Sequence, residues 1–114
     1  MSITTQAIAP GFAVAAQLSA DQMAATASQG FKTVVNNRPD GEGGPGQPLS
    51  QSLAAAAQAN GLHYVYLPVV SGAITPEQAQ ALRAALQTAP QPVLAFCRSG
   101  ARSAQLYAMA QADR

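Results

Sequence analysis

The residues best suited to chemistry lie together in the segment FCRSGARS, residues 96–103. It contains Cys97, the single cysteine of the chain, with Arg98 and Arg102 nearby and Gly100 between them. A cysteine thiolate is a nucleophile, and neighbouring cationic side chains both lower the pKa of the thiol and attract anions. These residue types at this spacing predict a reactive cysteine inside an anion-binding loop.

The sequence on either side predicts a strand that turns directly into a helix. PVLAFC, residues 92–97, is continuously apolar, as a strand covered on both faces should be, and residues 104–112 are typical of a helix. The free N–H groups and the positive dipole at the start of such a helix stabilise a thiolate or a bound anion. Residue statistics alone favour a buried structural cysteine, but this position favours a reactive one.

Each loop residue has an expected role. Gly100 allows the backbone to fold so that successive N–H groups converge. Arg102 closes the cradle with its planar fork of donors, and Ser103 donates its hydroxyl hydrogen to the thiolate. Arg98 either joins the cradle or points to solvent and shapes substrate entry. We expect Cys97 and Arg102 to be catalytic, and the anion-binding set to be Arg98, Ser99, Gly100, Ala101 and Ser103.

Strand and helix patterns alternate along the chain. The predicted strands are residues 11–17, 31–37, 62–70 and 92–97. The predicted helices are residues 20–29, 49–60, 75–88 and 104–112. The helix at 75–88 has the clearest start, because Thr75 precedes Pro76 and Gln78 occupies the third helical position. This alternation predicts an α/β fold with a largely parallel central sheet of about four or five strands flanked by helices.

In such folds, ligands bind at the carboxyl ends of the strands, where three predicted loops meet. One is residues 98–103. The loop at 38–48 contributes Arg38 as a possible anion-binding residue, together with Asp40 and Glu42 as possible acids, although Asp40 in the segment PDG is more simply explained by turn chemistry. The loop at 70–75 contributes Ser71. Arg38, Asp40 and Ser71 are therefore the expected auxiliary residues.

Composition excludes several classes of function. The 114 residues suit a single domain, residues 1–114, and the formal net charge of +1 gives no overall field to attract nucleic acid or a membrane surface. One cysteine and one histidine are too few ligands for an ordinary metal site, and no cofactor is expected. Without a basic, apolar leader or a long apolar run, we expect a cytoplasmic protein.

Three segments together point to a family. TVVNNRPDGE, LHYVYLPVVSGAIT and VLAFCRSGARS, in this order, resemble the small bacterial family described as the beta-lactamase hydrolase-like protein, phosphatase-like domain. The last segment also resembles the active-site loops of rhodanese-like sulfurtransferases and cysteine-dependent phosphatases. The resemblance implies the fold of the dual-specificity-like cysteine phosphatases and one of these two activities.

Three departures from the phosphatase pattern favour sulfur transfer. Four residues separate Cys97 from Arg102, whereas cysteine phosphatases have five, and Phe96 replaces their histidine. Phosphatases of this kind also carry an acid after the strand that resembles YVYLPV, where this chain has Val70 and Ser71. A phosphatase needs such an acid to protonate its leaving group, whereas a thiol leaves readily as an anion.

The expected function is therefore a rhodanese-like sulfurtransferase that carries sulfur as a persulfide on Cys97. Its partners would be a small sulfur donor, such as thiosulfate or a persulfide, and a thiol or cyanide acceptor. The alternative is a cysteine-dependent phosphatase, similar to the protein tyrosine and dual-specificity phosphatases, in which Cys97 takes up the phosphoryl group of a phosphorylated substrate as a phosphocysteine intermediate. A third hypothesis is a non-catalytic module that senses anions or oxidants through the same thiolate.

Overall fold

In the computed structural model, which describes residues 3–112, five strands and four α-helices alternate. The strands are β1 Gln6–Ala9, β2 Phe12–Ala15, β3 Thr33–Asn36, β4 His63–Tyr66 and β5 Val93–Phe96. The helices are α1 Met23–Ser28, α2 Ser50–Ala59, α3 Pro76–Thr88 and α4 Ala101–Ala112, and a 3-10 turn at Ala20–Gln22 precedes α1.

The strands form one sheet in the order β1-β2-β5-β3-β4. Strands β2, β5, β3 and β4 run parallel, and β1 pairs antiparallel with β2. In the parallel register, Ala95 of β5 lies between Val14 of β2 and Val35 of β3. The α/β prediction with a largely parallel sheet is therefore confirmed, and the strand that leads into the cysteine loop lies at the centre of the sheet.

Two details of the sequence prediction are corrected by the structure. Strand β1 was not predicted, because its residues Gln6–Ala9 are largely exposed and carry no alternating apolar pattern. The predicted helix at 20–29 begins as a 3-10 turn, although the side chain of Gln22 accepts a hydrogen bond from the Ser19 N–H at 2.8 Å, as predicted from the capping-box spacing.

Helices cover both faces of the sheet, so the central strand is apolar on both sides. Leu94 and Phe96 pack into a buried cluster with Leu53 of α2. Val93 and Ala95, on the other face, pack with Leu106 of α4. Because the four β5 side chains are fully buried, the end of this strand is held firmly, and Cys97 follows it directly.

The parallel register brings the carboxyl ends of β2, β3, β4 and β5 to one edge of the sheet. The Gln17 N–H donates to the Arg98 carbonyl oxygen at 3.3 Å, and the Val69 N–H donates to the Asn37 carbonyl oxygen at 3.0 Å. These bonds connect the segments that follow the strands. Among residues 3–112, no helix is both long and apolar enough to cross a membrane.

Candidate active site

The loop between β5 and α4 depends on the backbone conformation of Gly100. Its φ is +94°, in the left-handed region where side chains other than glycine are strained. A Cβ at this position would lie 3.3 Å from the carbonyl oxygen of Ala15 in β2. In this conformation the Gly100 N–H points at the Cys97 Sγ, 3.1 Å away. The glycine thus brings the loop close to the sheet and aims a donor at the sulfur.

The Cys97 thiol is 1% exposed and ionises more easily than an ordinary cysteine. Burial alone raises the pKa of the thiol, but hydrogen bonds outweigh it and hold the pKa below its usual value. The donors are the backbone N–H groups of Ser103, Ser99 and Gly100, with a contribution from the Ser103 hydroxyl. The loop therefore stabilises a thiolate mainly through its backbone, as the start of a helix should.

The Ser103 hydroxyl has a second partner that the sequence did not reveal. Its oxygen lies 2.8 Å from Asn37 Oδ1, to which it donates, and Asn37 Nδ2 donates to the Leu67 carbonyl oxygen at 2.9 Å. Ser103 and Asn37 are both fully buried. A hydroxyl has one hydrogen. Ser103 can therefore help the Cys97 thiolate through its side chain only when that hydrogen turns away from Asn37.

Arg102 lies in the first turn of α4 and is 8% exposed. Its Nη1 donates to Glu42 Oε2 at 2.8 Å and to the Val69 carbonyl oxygen at 2.9 Å, and its Nη2 donates to Glu42 Oε1 at 3.0 Å. The guanidinium has five N–H donors, and these bonds use three. Within residues 3–112 the buried Nε has no hydrogen-bond partner. One edge of the guanidinium is thus fixed by Glu42, and the buried Nε is left unpaired within residues 3–112.

Glu42 is the residue whose position the sequence analysis missed. It was considered as an acid, but it binds two arginines, because Arg38 Nε also donates to its Oε1 at 2.9 Å. The hydrogen bond from Arg102 is the main cause that lowers the pKa of the Glu42 carboxyl; burial, the next in size, raises the pKa, and the hydrogen bond from Arg38 lowers it further. Glu42 is therefore ionised at neutral pH. Glu42 and Arg102 are 60 positions apart in sequence, so no local pattern could reveal the pair.

Four of the predicted site residues line one cleft of about 600 Å³ at the carboxyl edge of the sheet. They are Arg38, Ser71, Arg98 and Arg102. Glu42, Gly43 and Val70 complete its lining. Ser71 and Arg98 are exposed, whereas the Arg38 side chain is 12% exposed because it packs onto Glu42 and donates to Gln17 Oε1 at 3.1 Å. The cleft therefore combines the paired side chains of Arg38 and Arg102 with the exposed cationic side chain of Arg98.

Asp40 has a structural role in this arrangement. Its Oδ1 accepts the backbone N–H of Ser50, the first residue of α2, at 2.8 Å, and its own N–H donates to the Tyr66 hydroxyl at 2.9 Å. This agrees with the turn interpretation of the PDG segment. Among the residues that the structure describes, no group of three or more His, Cys, Asp and Glu side chains could hold a metal ion.

Solved structures share this fold. A crystal structure of a candidate phosphatase from Neisseria meningitidis Z2491 superposes with a TM-score of 0.78 at 28% identity, covering 85% of this chain and 68% of that chain. A candidate phosphatase from Shewanella putrefaciens CN-32 superposes with a TM-score of 0.82 at 23% identity, covering 96% of this chain and 69% of that chain. The second likeness concerns the fold alone. The fold is thus cysteine-phosphatase-like, as the resemblance implied.

Sequence comparison leads to the same group of proteins. The beta-lactamase hydrolase-like protein of Xylella fastidiosa is 37% identical over 99 residues, which are 87% of this chain and 23% of that protein. The chain therefore spans about a quarter of the length of this curated relative. The family model for the beta-lactamase hydrolase-like protein, phosphatase-like domain, matches residues 4–114.

The sulfurtransferase prediction is wrong, because both the family description and the Neisseria structure are phosphatase-like. The features that favoured sulfur do not remove what a phosphate needs. Although the loop is one residue short, Arg102 still lines the cleft beside Arg98, so the cleft keeps cationic side chains for an anion. The chain belongs to the beta-lactamase hydrolase-like protein, phosphatase-like domain family.

Proposed function

We propose that this domain is a cysteine-dependent phosphatase that hydrolyses phosphate monoesters through a phosphocysteine at Cys97. The family description and the Neisseria structure support the reaction class. The lowered pKa of the Cys97 thiol supplies the nucleophile. Because the curated relative is about four times longer than this chain, the proposal concerns the domain and not that whole protein.

The free edge of Arg102 is the observation that carries this proposal. Its Nε is buried and has no partner within residues 3–112, yet the rest of the guanidinium is held by Glu42 and Val69. An unsatisfied buried donor is costly, so a site that leaves one is expected to bind a ligand there. The Nε–H and the remaining Nη2–H point to the same side of the planar group, and such a pair suits two phosphate oxygens.

The chemistry then follows in two steps. The Cys97 thiolate attacks phosphorus, the S–P bond forms, and the P–O bond to the leaving group breaks with its electron pair on oxygen. Arg102 and the backbone N–H groups at the start of α4 stabilise the charge that spreads over the phosphoryl oxygens. Water then attacks the phosphocysteine, which releases inorganic phosphate and restores the thiolate.

The other residues of the cleft lining either position Arg102 or lie where the substrate enters. Arg38, which also donates to Gln17, donates to Glu42 and helps to hold it against Arg102, so Glu42 acts on the substrate through Arg102. Arg98 and Ser71 are exposed at the rim, where they meet the substrate first. The cationic rim favours a phosphorylated substrate as the partner of this domain.

The proposal is tested by steady-state hydrolysis of para-nitrophenyl phosphate. We expect turnover by the wild-type chain and none above background by Cys97→Ser, which keeps the shape of the site but has no nucleophilic thiolate at neutral pH. A matched substitution is Ser52→Ala, a serine in the first turn of α2 outside the cleft lining, which should retain activity. Equal activity of wild-type and Cys97→Ser would rule out the proposal.

A further inference from the structure

Glu42 is the one residue with an acidic side chain in the cleft lining, and it is unsuited to donate a proton. The other titratable residues of that lining are Arg38, Arg98 and Arg102, and arginine does not deprotonate in proteins. Both oxygens of Glu42 accept charge-assisted hydrogen bonds, at 2.8–3.0 Å, from Arg102 and Arg38. This pairing stabilises the ionised carboxylate, so at neutral pH Glu42 holds no proton to give.

The carboxylate of Asp40, on the same loop, is also bound to another partner. Asp40 Oδ1 accepts the Ser50 N–H at the start of α2, and the Asp40 N–H donates to the Tyr66 hydroxyl, so Asp40 is held at the start of that helix. After β4, the residues that face the cleft are Val70 and Ser71, and neither is an acid of useful strength. The remaining carboxylates in residues 3–112, Asp21 and Glu77, lie outside the lining.

We infer that the leaving group departs from this site as an anion, and that the substrate is a phosphate with an acidic leaving group: an aryl phosphate whose phenol is acidic, or an acyl phosphate. This inference rests on the proposed phosphatase function. When the Cys97 thiolate attacks phosphorus, the P–O bond breaks and the leaving oxygen keeps the electron pair without receiving a proton from the protein. It then takes up a proton from water. Alkyl phosphates, whose alkoxides are strong bases, are poor substrates on this account.

The charged side chains that line the cleft favour a leaving group that departs as an anion. Three arginines and one carboxylate line it, and Arg98 at the rim is exposed. A developing phenolate or carboxylate near this rim is stabilised by positive charge, which partly replaces protonation. The cleft is therefore suited to expelling an anion.

The test is a series of substrates that differ in leaving group. Para-nitrophenyl phosphate and acetyl phosphate should be hydrolysed in a Cys97-dependent manner. Phenyl phosphate should react roughly a hundredfold or more slowly than para-nitrophenyl phosphate, because that is the contribution a general acid would otherwise make. Phosphoserine should show no turnover above the Cys97→Ser background.

The results separate the inference from the function on which it rests. If para-nitrophenyl phosphate and acetyl phosphate are both untouched, the proposed function fails and the inference fails with it. If phenyl phosphate and phosphoserine are hydrolysed within about tenfold of the rate for para-nitrophenyl phosphate, the proposed phosphatase function holds but the inference is overturned. Rates this similar for such different leaving groups require a general acid that protonates the leaving oxygen.

Glu42→Gln distinguishes the two possible roles of this side chain. On our account it disturbs Arg102 equally for every substrate, so the ratio of para-nitrophenyl to phenyl phosphate turnover stays unchanged. If Glu42 were the acid, the variant would lose phenyl phosphate turnover by a hundredfold or more and keep that of para-nitrophenyl phosphate. Glu77→Gln, an exposed glutamate in the first turn of α3, makes the same chemical change outside the cleft lining.

Discussion

Arg102 uses only part of its N–H donors for bonds to the described residues. Three N–H groups bind Glu42 and the Val69 carbonyl, whereas Nε is left without a partner within residues 3–112. A side chain held on one edge and free on the other is already oriented for its ligand, so little conformational entropy is lost on binding. At the residue scale, the function of the site therefore depends on the fixed orientation of Arg102 as much as on the Cys97 nucleophile.

Arg102→Lys tests this orientation. Lysine keeps the charge but cannot present two parallel donors to a phosphate while also binding Glu42 and Val69. We expect kcat/KM for para-nitrophenyl phosphate to fall by about a hundredfold or more, the size of effect seen when a transition-state donor is removed. Arg83→Lys on α3, outside the cleft lining, is the control and should change kcat/KM little. Unchanged kinetics in Arg102→Lys would show that its fork is not used.

Asn37 and Ser103 should shift the thiol pKa in opposite directions. Removing the hydroxyl in Ser103→Ala deletes a donor to the thiolate, so the pKa of Cys97 should rise. Removing its competitor in Asn37→Ala leaves the hydroxyl hydrogen free to turn to the sulfur, so the pKa should fall. The pH dependence of the thiolate absorbance measures both, and Cys97 gives the signal alone because it is the single cysteine. A shift of both variants in the same direction would contradict this assignment.

At the element scale, the junction between β5 and α4 places the nucleophile. Strand β5 is buried on both faces, α4 begins at Ala101, and Gly100 supplies the left-handed turn between them. Much of this could be predicted, because a continuous apolar strand, a glycine and a helix follow one another in sequence. The capping of α3 could be predicted for the same reason: Thr75 Oγ1 accepts the Gln78 N–H at 3.1 Å, as the residue types indicate.

Gly100→Ala should damage the loop as well as the fold. Its φ of +94° costs a side chain about 1–2 kcal/mol, and the added Cβ would press on the Ala15 carbonyl oxygen at 3.3 Å. Gly61→Ala is a matched control, since Gly61 has a φ of +75° with nothing within 4 Å of its Cβ position. Thermal unfolding should show a loss of stability in both variants, and activity should fall only in Gly100→Ala. Equal activity losses would mean that the loop has no special role.

At the scale of the whole molecule, the cleft joins segments that are distant in sequence. Residues after β3, after β4 and after β5 meet because parallel strands share one carboxyl edge. The sequence could predict that these loops meet but not which side chains pair. The Glu42–Arg102 pair connects two loops, and Asn37–Ser103 joins a strand end to a helix, so each depends on the tertiary packing.

The same reasoning explains the wrong sulfur prediction. The prediction relied on a count of loop residues and on the residues after β4, which are local features. These local features do not reveal that Arg102 lines a cleft together with Arg38 and Arg98, and the phosphatase-like family description overturns the prediction. Strand β1 was missed for a related reason, since it is an exposed edge strand whose pairing with β2 alone defines it.

The ion pairs of Glu42 with Arg38 and Arg102 should also make the free energy of unfolding depend on pH. The pKa of the Glu42 carboxyl in the folded chain is lowered from the ordinary value of 4.5. The ion pairs of Glu42 with Arg38 and Arg102 therefore stabilise the fold above that pH, and this stabilisation is lost as pH falls through the folded pKa. Glu42→Gln should therefore be less stable than wild-type at pH 7, and the gap should shrink below about pH 4.5. Urea unfolding at several pH values measures it. A gap that stays constant with pH would show that the ion pairs contribute nothing to folding.

The most direct test of the central claim is to trap the covalent intermediate. The chain is mixed with para-nitrophenyl phosphate, quenched rapidly in acid and examined by mass spectrometry of its peptides. We predict one phosphoryl group on the peptide that contains Cys97 and none on the same peptide from Cys97→Ser. Turnover of the substrate with unmodified Cys97, or with the phosphoryl group on another residue, would contradict the account.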